Sequence, residues 1–225
     1  MHGKFIVFEG LDGSGKSTQA ELLKESFEEQ GLKVFLTKEC TDGPIGTLLR
    51  KEYLSGHRKI NEAVINILMA ADRIEHVDEI NQHLEAGDIV ISDRYVLSGF
   101  AYNTYMDPTF DRLTDTYNMN RLAITKCQPD LTLFLDVDPT ICIDRINSRP
   151  GNHEVYETLD KLERIRKAYF KTFDFFNCGY FYDDDRDKNV RINMHVKTIT
   201  CNDMNPDKIR YIIWRIARNI LNNHG

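Results

Sequence analysis

The sequence predicts a three-layer α/β architecture, with a five-stranded parallel sheet flanked by helices. Three observations carry that expectation. Short apolar runs alternate with segments of helical spacing along the 225 residues. The runs show little polar alternation, as strands buried on both faces do. A glycine-rich loop follows the first run and opens the first helical segment.

The first strand is expected at Phe5 to Phe8, and the helix after it is striped by Ala20, Leu23 and Phe27, with Gly31 as its stop. A second strand at Val34 to Leu36 leads toward a long helix from Ile60 to Ala86, whose apolar stripe is Val64, Ile67, Leu68, Ala71 and Ile74. Strands three and four are expected at Ile89 to Ile91 and Leu131 to Leu135. Asp138-Pro139 then offers an N-cap and a first-turn proline. A helix runs from Leu159 to Phe176, a fifth strand spans Met194 to Ile199, and Ile209, Ile212, Ile213, Ile216 and Ile220 stripe a last helix. No repeat or Pro/Gly/Ser-rich break interrupts residues 1–225, which are expected to form one domain.

With 29 Lys+Arg against 35 Asp+Glu the formal charge is −6, which excludes a surface built to coat nucleic acid or anionic membrane. Any anionic ligand must be met locally. The five cysteines are widely spaced with no C-x-x-C pair, which implies a reducing compartment. The first strand begins too soon for a signal-peptide apolar region, so a cytoplasmic or nucleocytoplasmic setting is expected.

In open parallel sheets ligands gather beyond the carboxyl ends of the strands. After the first strand stands Gly10-Leu11-Asp12-Gly13-Ser14-Gly15-Lys16-Ser17-Thr18, which fits G-x-x-x-x-G-K-[ST] at every fixed position. Glycines let successive N–H groups face phosphate oxygens, and the following helix adds its positive end. Lys16 is expected on the β- and γ-phosphates of a nucleoside triphosphate, and Ser17 on Mg²⁺. No N-K-x-D segment occurs, so a guanine-reading switch is excluded. At the end of the third strand Asp93 can hold Mg²⁺ through water, and Arg94 offers a fork that suits phosphate. The seven histidines show no paired metal spacing, and the carboxylate-rich run Tyr180 to Asp187 lacks the spacing of a calcium loop and is expected to be a solvated loop.

Glu9 to Thr18, Asp93-Arg94-Tyr95 with Ser98 and Tyr102 behind it, and Pro129 to Leu135 together resemble the thymidylate kinase family, in the family's order and over nearly the whole chain. The resemblance implies a P-loop kinase fold, ATP and Mg²⁺, and phosphorylation of dTMP to dTDP in dTTP synthesis. It implies that Asp12 faces the 3′-hydroxyl side of the acceptor sugar, that Arg94 bridges donor and acceptor phosphates, and that Arg73 meets the thymine edge. Tyr102 would crowd the 2′ position, with Ser98 and Asn103 nearby. Gly13 stands where some members carry a catalytic arginine, so Arg145 and Arg149, in a lid at about 145–157, are expected to serve instead. Adenine is expected near Cys201-Asn202-Asp203, and a homodimer through the long helix.

Two positions depart from the family. Met69 stands where a phenylalanine commonly stacks on thymine, and Thr37-Lys38-Glu39-Cys40 replaces an Arg-Glu-Pro turn, leaving its phosphate contact to Lys38 or Arg50. A deoxynucleoside kinase, a broader deoxynucleoside monophosphate kinase and an idle nucleotide-binding module are the competing readings.

Overall fold

A computed structural model describes the chain except residues 1, 151–153, 179, 180, 184–187, 191, 193, 203 and 223–225. Five strands form one wholly parallel sheet: β1 (Lys4–Gly10), β2 (Val34–Lys38), β3 (Ile89–Asp93), β4 (Leu131–Asp136) and β7 (Val196–Thr200), in the spatial order β2-β3-β1-β4-β7. β1 lies central and pairs β3 on one side, with Phe8 opposite Asp93, and β4 on the other, with Gly10 opposite Leu135. Strand order therefore reverses at β1, and the crevice that this creates opens just beyond Gly10.

Helices cover both faces, as continuous apolar strands require. They are α1 (Lys16–Glu28), α2 (Pro44–Leu48), which passes into a π-helical stretch over Leu49–Leu54, α3 (Glu62–Glu85), α4 (Val96–Thr104), α5 (Phe110–Lys126), α6 (Pro139–Ser148), α7 (Leu159–Cys178) and α8 (Pro206–Asn222). Asn61 caps α3 by accepting from the Ala63 amide at 2.9 Å. Asp138 does the same for α6 through the Thr140 amide at 2.9 Å, with Pro139 at the first position. The core centres on Phe134 of β4, fully buried among the rings of Tyr169, Phe170 and Phe173 from α7.

Two expectations about elements need correction. The fifth sheet strand begins at Val196 and not at Met194, because His195 sits at φ 45°, a left-handed turn that no strand can include. The Tyr180 to Asp187 run is not wholly loop: β5 (Phe181–Asp183) pairs antiparallel with β6 (Lys188–Val190), bringing Asp183 opposite Lys188. Tyr180 and residues 184–187 of that run lie outside the described residues, as do 151–153 of the expected lid and Asp203 near the expected adenine site.

Candidate active site

The loop after β1 turns at Gly13, whose φ of 78° favours glycine, and a Cβ there would stand 2.5 Å from the Cys142 carbonyl oxygen. α6 is thus seated directly on the loop, and Arg145 Nη1 reaches the Gly13 carbonyl at 3.1 Å. An arginine at 13 would not fit, and one from α6 occupies the space above it. Lys16 is buried and donates to the Leu11 carbonyl at 2.7 Å. Burial and the neighbouring Arg94 charge push its ammonium below the usual lysine range. Ser17 Oγ donates to Asp93 Oδ2 at 2.5 Å, while Asp93 Oδ1 and Ser14 Oγ are buried without a hydrogen-bond partner among the described residues. Such orphaned oxygens next to a phosphate loop suit a divalent cation and its ligands, so Ser17 and Asp93 fit Mg²⁺.

Arg94 leaves β3 at φ 76°, a conformation that costs a non-glycine residue on the order of 1–3 kcal/mol and points it back over β1. Its Nη2 meets Asp12 Oδ1 at 2.6 Å and the Tyr102 hydroxyl at 3.0 Å. Nη1 donates to Ser98 Oγ at 2.9 Å, and the guanidinium lies over the Tyr102 ring. Tyr102 in turn donates to Asp12 Oδ2 at 2.8 Å. Burial alone would raise the Asp12 pKa, but the Arg94 and Lys16 charges outweigh it and hold the carboxyl at about 2.

Behind these groups lies a cavity of about 190 Å³, walled by Tyr102, Met69 and Arg73 and closed by Leu54 and Tyr156. Arg73 is buried; its Nε is 2.8 Å from Glu39 Oε2 and its Nη1 2.5 Å from Asn120 Oδ1. Gly99 makes room for it, since a Cβ there would stand 2.8 Å from Arg73 Nη1. Tyr156 packs edge-on against Tyr102 and Tyr105, and the Val155 amide donates to the Leu54 carbonyl at 3.0 Å, so the expected lid also roofs this cavity. A second cavity, about 510 Å³, follows the loop past Arg145 and Arg149 to Met204, Pro206 and Ile209 at the start of α8. Arg149 pairs with the buried Glu157 carboxylate. The two cavities share Asp12, Lys38, Glu39 and Arg94.

The structure thus brings the loop, Asp93, Arg94, Ser98 and Tyr102 together, with Met69 and Arg73 at the far wall. Lys38 and Arg50 both line the smaller cavity; Arg50 is tied to the Cys40 and Thr41 carbonyls and to Asp42. Asn103, expected beside the sugar, is not part of that wall: its amide donates to Thr116 Oγ1 at 2.8 Å and accepts from Asn66, knitting α4 to α5 and α3. The sequence reading missed Glu9, Tyr156 and Tyr169. Glu9 carried a signal, a carboxylate that directly continues the apolar run Phe5 to Phe8.

A parallel sheet with a phosphate loop at its switch point, and two cavities meeting at Asp12 and Arg94, is the arrangement of a P-loop phosphotransferase for two nucleotides. Residues 8–191 match the family model described as thymidylate kinase. The chain is 42% identical over 180 residues, 76% of this chain and 85% of the other, to a probable thymidylate kinase of Thermococcus kodakarensis. It is 42% identical over 183 residues, 78% and 85% of the two chains, to one of Pyrococcus abyssi. The solved thymidylate kinase of Candida albicans superposes with a TM-score of 0.70 at 26% identity, covering 97% of this chain and 92% of that one. This chain belongs to the thymidylate kinase family.

Because the folded Asp12 pKa lies below its ordinary 3.8, its contribution to stability is present above about pH 4 and is lost as pH falls through about 2. Chemical denaturation of the wild type and Asp12→Asn from pH 6 to 2 should show the wild-type advantage, roughly 2 kcal/mol, shrinking over that window. An advantage unchanged at pH 2 contradicts the pairing with Arg94.

Proposed function

We propose that this chain transfers the γ-phosphoryl group of ATP to the 5′-phosphate of dTMP, giving dTDP and ADP. The observation that carries this reading is the junction: two cavities meet where Arg94 and Asp12 stand, next to the phosphate loop. The loop amides of Gly10 to Thr18 and Lys16 hold the donor phosphates, and adenine lies toward Met204 and Pro206. Ser17 and Asp93 would hold Mg²⁺, which would neutralise charge on the donor phosphates. Arg94 spans donor and acceptor phosphates, and Arg145 and Arg149 approach from the lid side, so the migrating group stays surrounded by cations. No covalent intermediate is needed.

On the acceptor side Arg73 meets the base edge while Met69 packs on its face. Tyr102 crowds the sugar 2′ position and Asp12 faces the 3′-hydroxyl, with Ser98 beside the acceptor phosphate. A deoxynucleoside kinase, which takes an uncharged acceptor, has no use for so many cations at the junction.

The setting is read as cytoplasmic: Cys40, Cys127, Cys142 and Cys201 are free thiols, and among the described residues no helix is long and apolar enough to cross a membrane. A homodimer is read from Val64 and Ile67 of α3 and Leu122 of α5, exposed apolar side chains on two helices that pack together.

ADP release measured with dTMP, dUMP, dGMP, dCMP and thymidine should be fastest with dTMP and absent with thymidine, and Lys16→Ala or Arg94→Ala should lower kcat on the order of a hundredfold or more. Thymidine turnover equal to that of dTMP refutes the assignment. Sedimentation should give twice the chain mass, falling to one chain in Ile67→Glu; a monomeric wild type removes the dimer.

A further inference from the structure

Glu9, near the end of β1, is fully buried, yet no step of the reaction proposed above uses it. Its carboxylate collects four donors. Oε1 accepts from the Tyr95 and Ser98 amides, each at 3.0 Å, which ties β1 to the N-terminal end of α4. Oε2 accepts from the Ser98 hydroxyl at 2.5 Å and from the Tyr169 hydroxyl at 2.9 Å. The two hydroxyl oxygens are themselves 2.8 Å apart, so the three groups form a closed triangle drawn from β1, α4 and α7.

Each hydroxyl owns one proton, and Glu9, whose pKa burial pushes up against the opposing pull of Ser98, Arg94 and Tyr169, can in its ionised form only accept. With both protons turned to Glu9, both oxygens present lone pairs in the opposite direction. Arg94 Nη1 lies there, 2.9 Å from Ser98 Oγ and 3.3 Å from the Tyr169 oxygen. On its other side Nη2 is drawn by Asp12 toward the loop. The guanidinium is therefore held from two sides: Nη1 by Ser98, Tyr169 and the Gly10 carbonyl at 3.2 Å, and Nη2 by Asp12 and Tyr102.

We propose that Glu9 is a positioning residue for Arg94: acting through Ser98 and Tyr169, it directs two lone pairs at the guanidinium and so fixes its aim at the acceptor phosphate. The proposal rests on the reading of Arg94 as the cation that meets that phosphate. It assigns Tyr169, 75 residues from Arg94 in sequence, to the same task. A carboxamide at position 9 would offer an N–H where the hydroxyl protons now point, turn at least one of them toward Arg94 or onto the other hydroxyl, and so take a lone pair away from the guanidinium.

The test is calorimetric titration with dTMP and with thymidine, which differ only in the phosphate, of the wild type, Tyr169→Phe, Glu9→Gln, Arg94→Ala, and Tyr169→Phe combined with Arg94→Ala. Loss of one hydrogen bond should weaken dTMP about threefold to tenfold in Tyr169→Phe, leave thymidine within about twofold, and add nothing in the Arg94→Ala background. Glu9→Gln should move the same ratio in the same direction and further. A merely structural role would weaken both ligands alike, or persist undiminished without Arg94, and either result overturns the proposal. Tyr169→Phe removes one oxygen and keeps the ring, so it decides the matter even if Glu9→Gln does not fold. If Arg94→Ala itself leaves the dTMP-to-thymidine ratio unchanged, the reading of Arg94 is at fault and the proposal falls with it, an outcome separable from a failure of Tyr169→Phe alone.

Discussion

Two phosphorylated molecules meet end to end only where fixed positive charge overcomes their repulsion, and fixed positive charge gathered in a buried place repels itself. That constraint shapes the junction. Lys16 is lowered by burial and by Arg94, and the carboxylates of Asp93, Asp12 and Glu9 act against both effects. Burial disfavours the Arg94 charge as well, but Asp12, Tyr102, Tyr169 and Asp93 together outweigh it and hold the guanidinium well above its ordinary value. The cations of the junction thus sit inside an anionic frame.

The fold supplies that frame at the one place where it can converge. β1 ends between β3 and β4, so the phosphate loop, Asp93 and Arg94 emerge side by side. Arg94 turns inward because its backbone adopts a left-handed conformation, held by its own amide donating to the Phe8 carbonyl at 2.9 Å and by Ser92 Oγ donating to its carbonyl at 2.7 Å. Local strain is offset by bonds that only this turn allows. α6 and the segment from Glu154 to Glu157 then close the junction from above, one through Arg145 on the loop and the other through Tyr156 on Tyr102.

Much of this was legible in the sequence because its signals are local. The loop spacing, the apolar strand runs and the dipeptide Asp93-Arg94 at a strand end need only neighbours in the chain to be read. The long helix was placed from Ile60 to Ala86 and found from Glu62 to Glu85. What escaped was of two kinds. α4 is buried on nearly every side and carries Gly99, so it has no apolar stripe and reads as a break; α5 turns Thr116 and Asn120 inward, which interrupts its period. Glu9 and Tyr169 act together across 160 residues, a pairing that no spacing rule encodes. Asn103, which the family resemblance set near the sugar with Tyr102, lies one residue further along the helix and faces another way.

The most direct measurement is a crystal structure with adenosine and thymidine joined 5′ to 5′ through five phosphates. A single molecule should run from Met204 and Pro206, along the Gly10 to Ser17 loop, to Met69 and Arg73, with its phosphates beside Arg94. A ligand held by one end alone, or a phosphate chain that bypasses Arg94, would contradict the account.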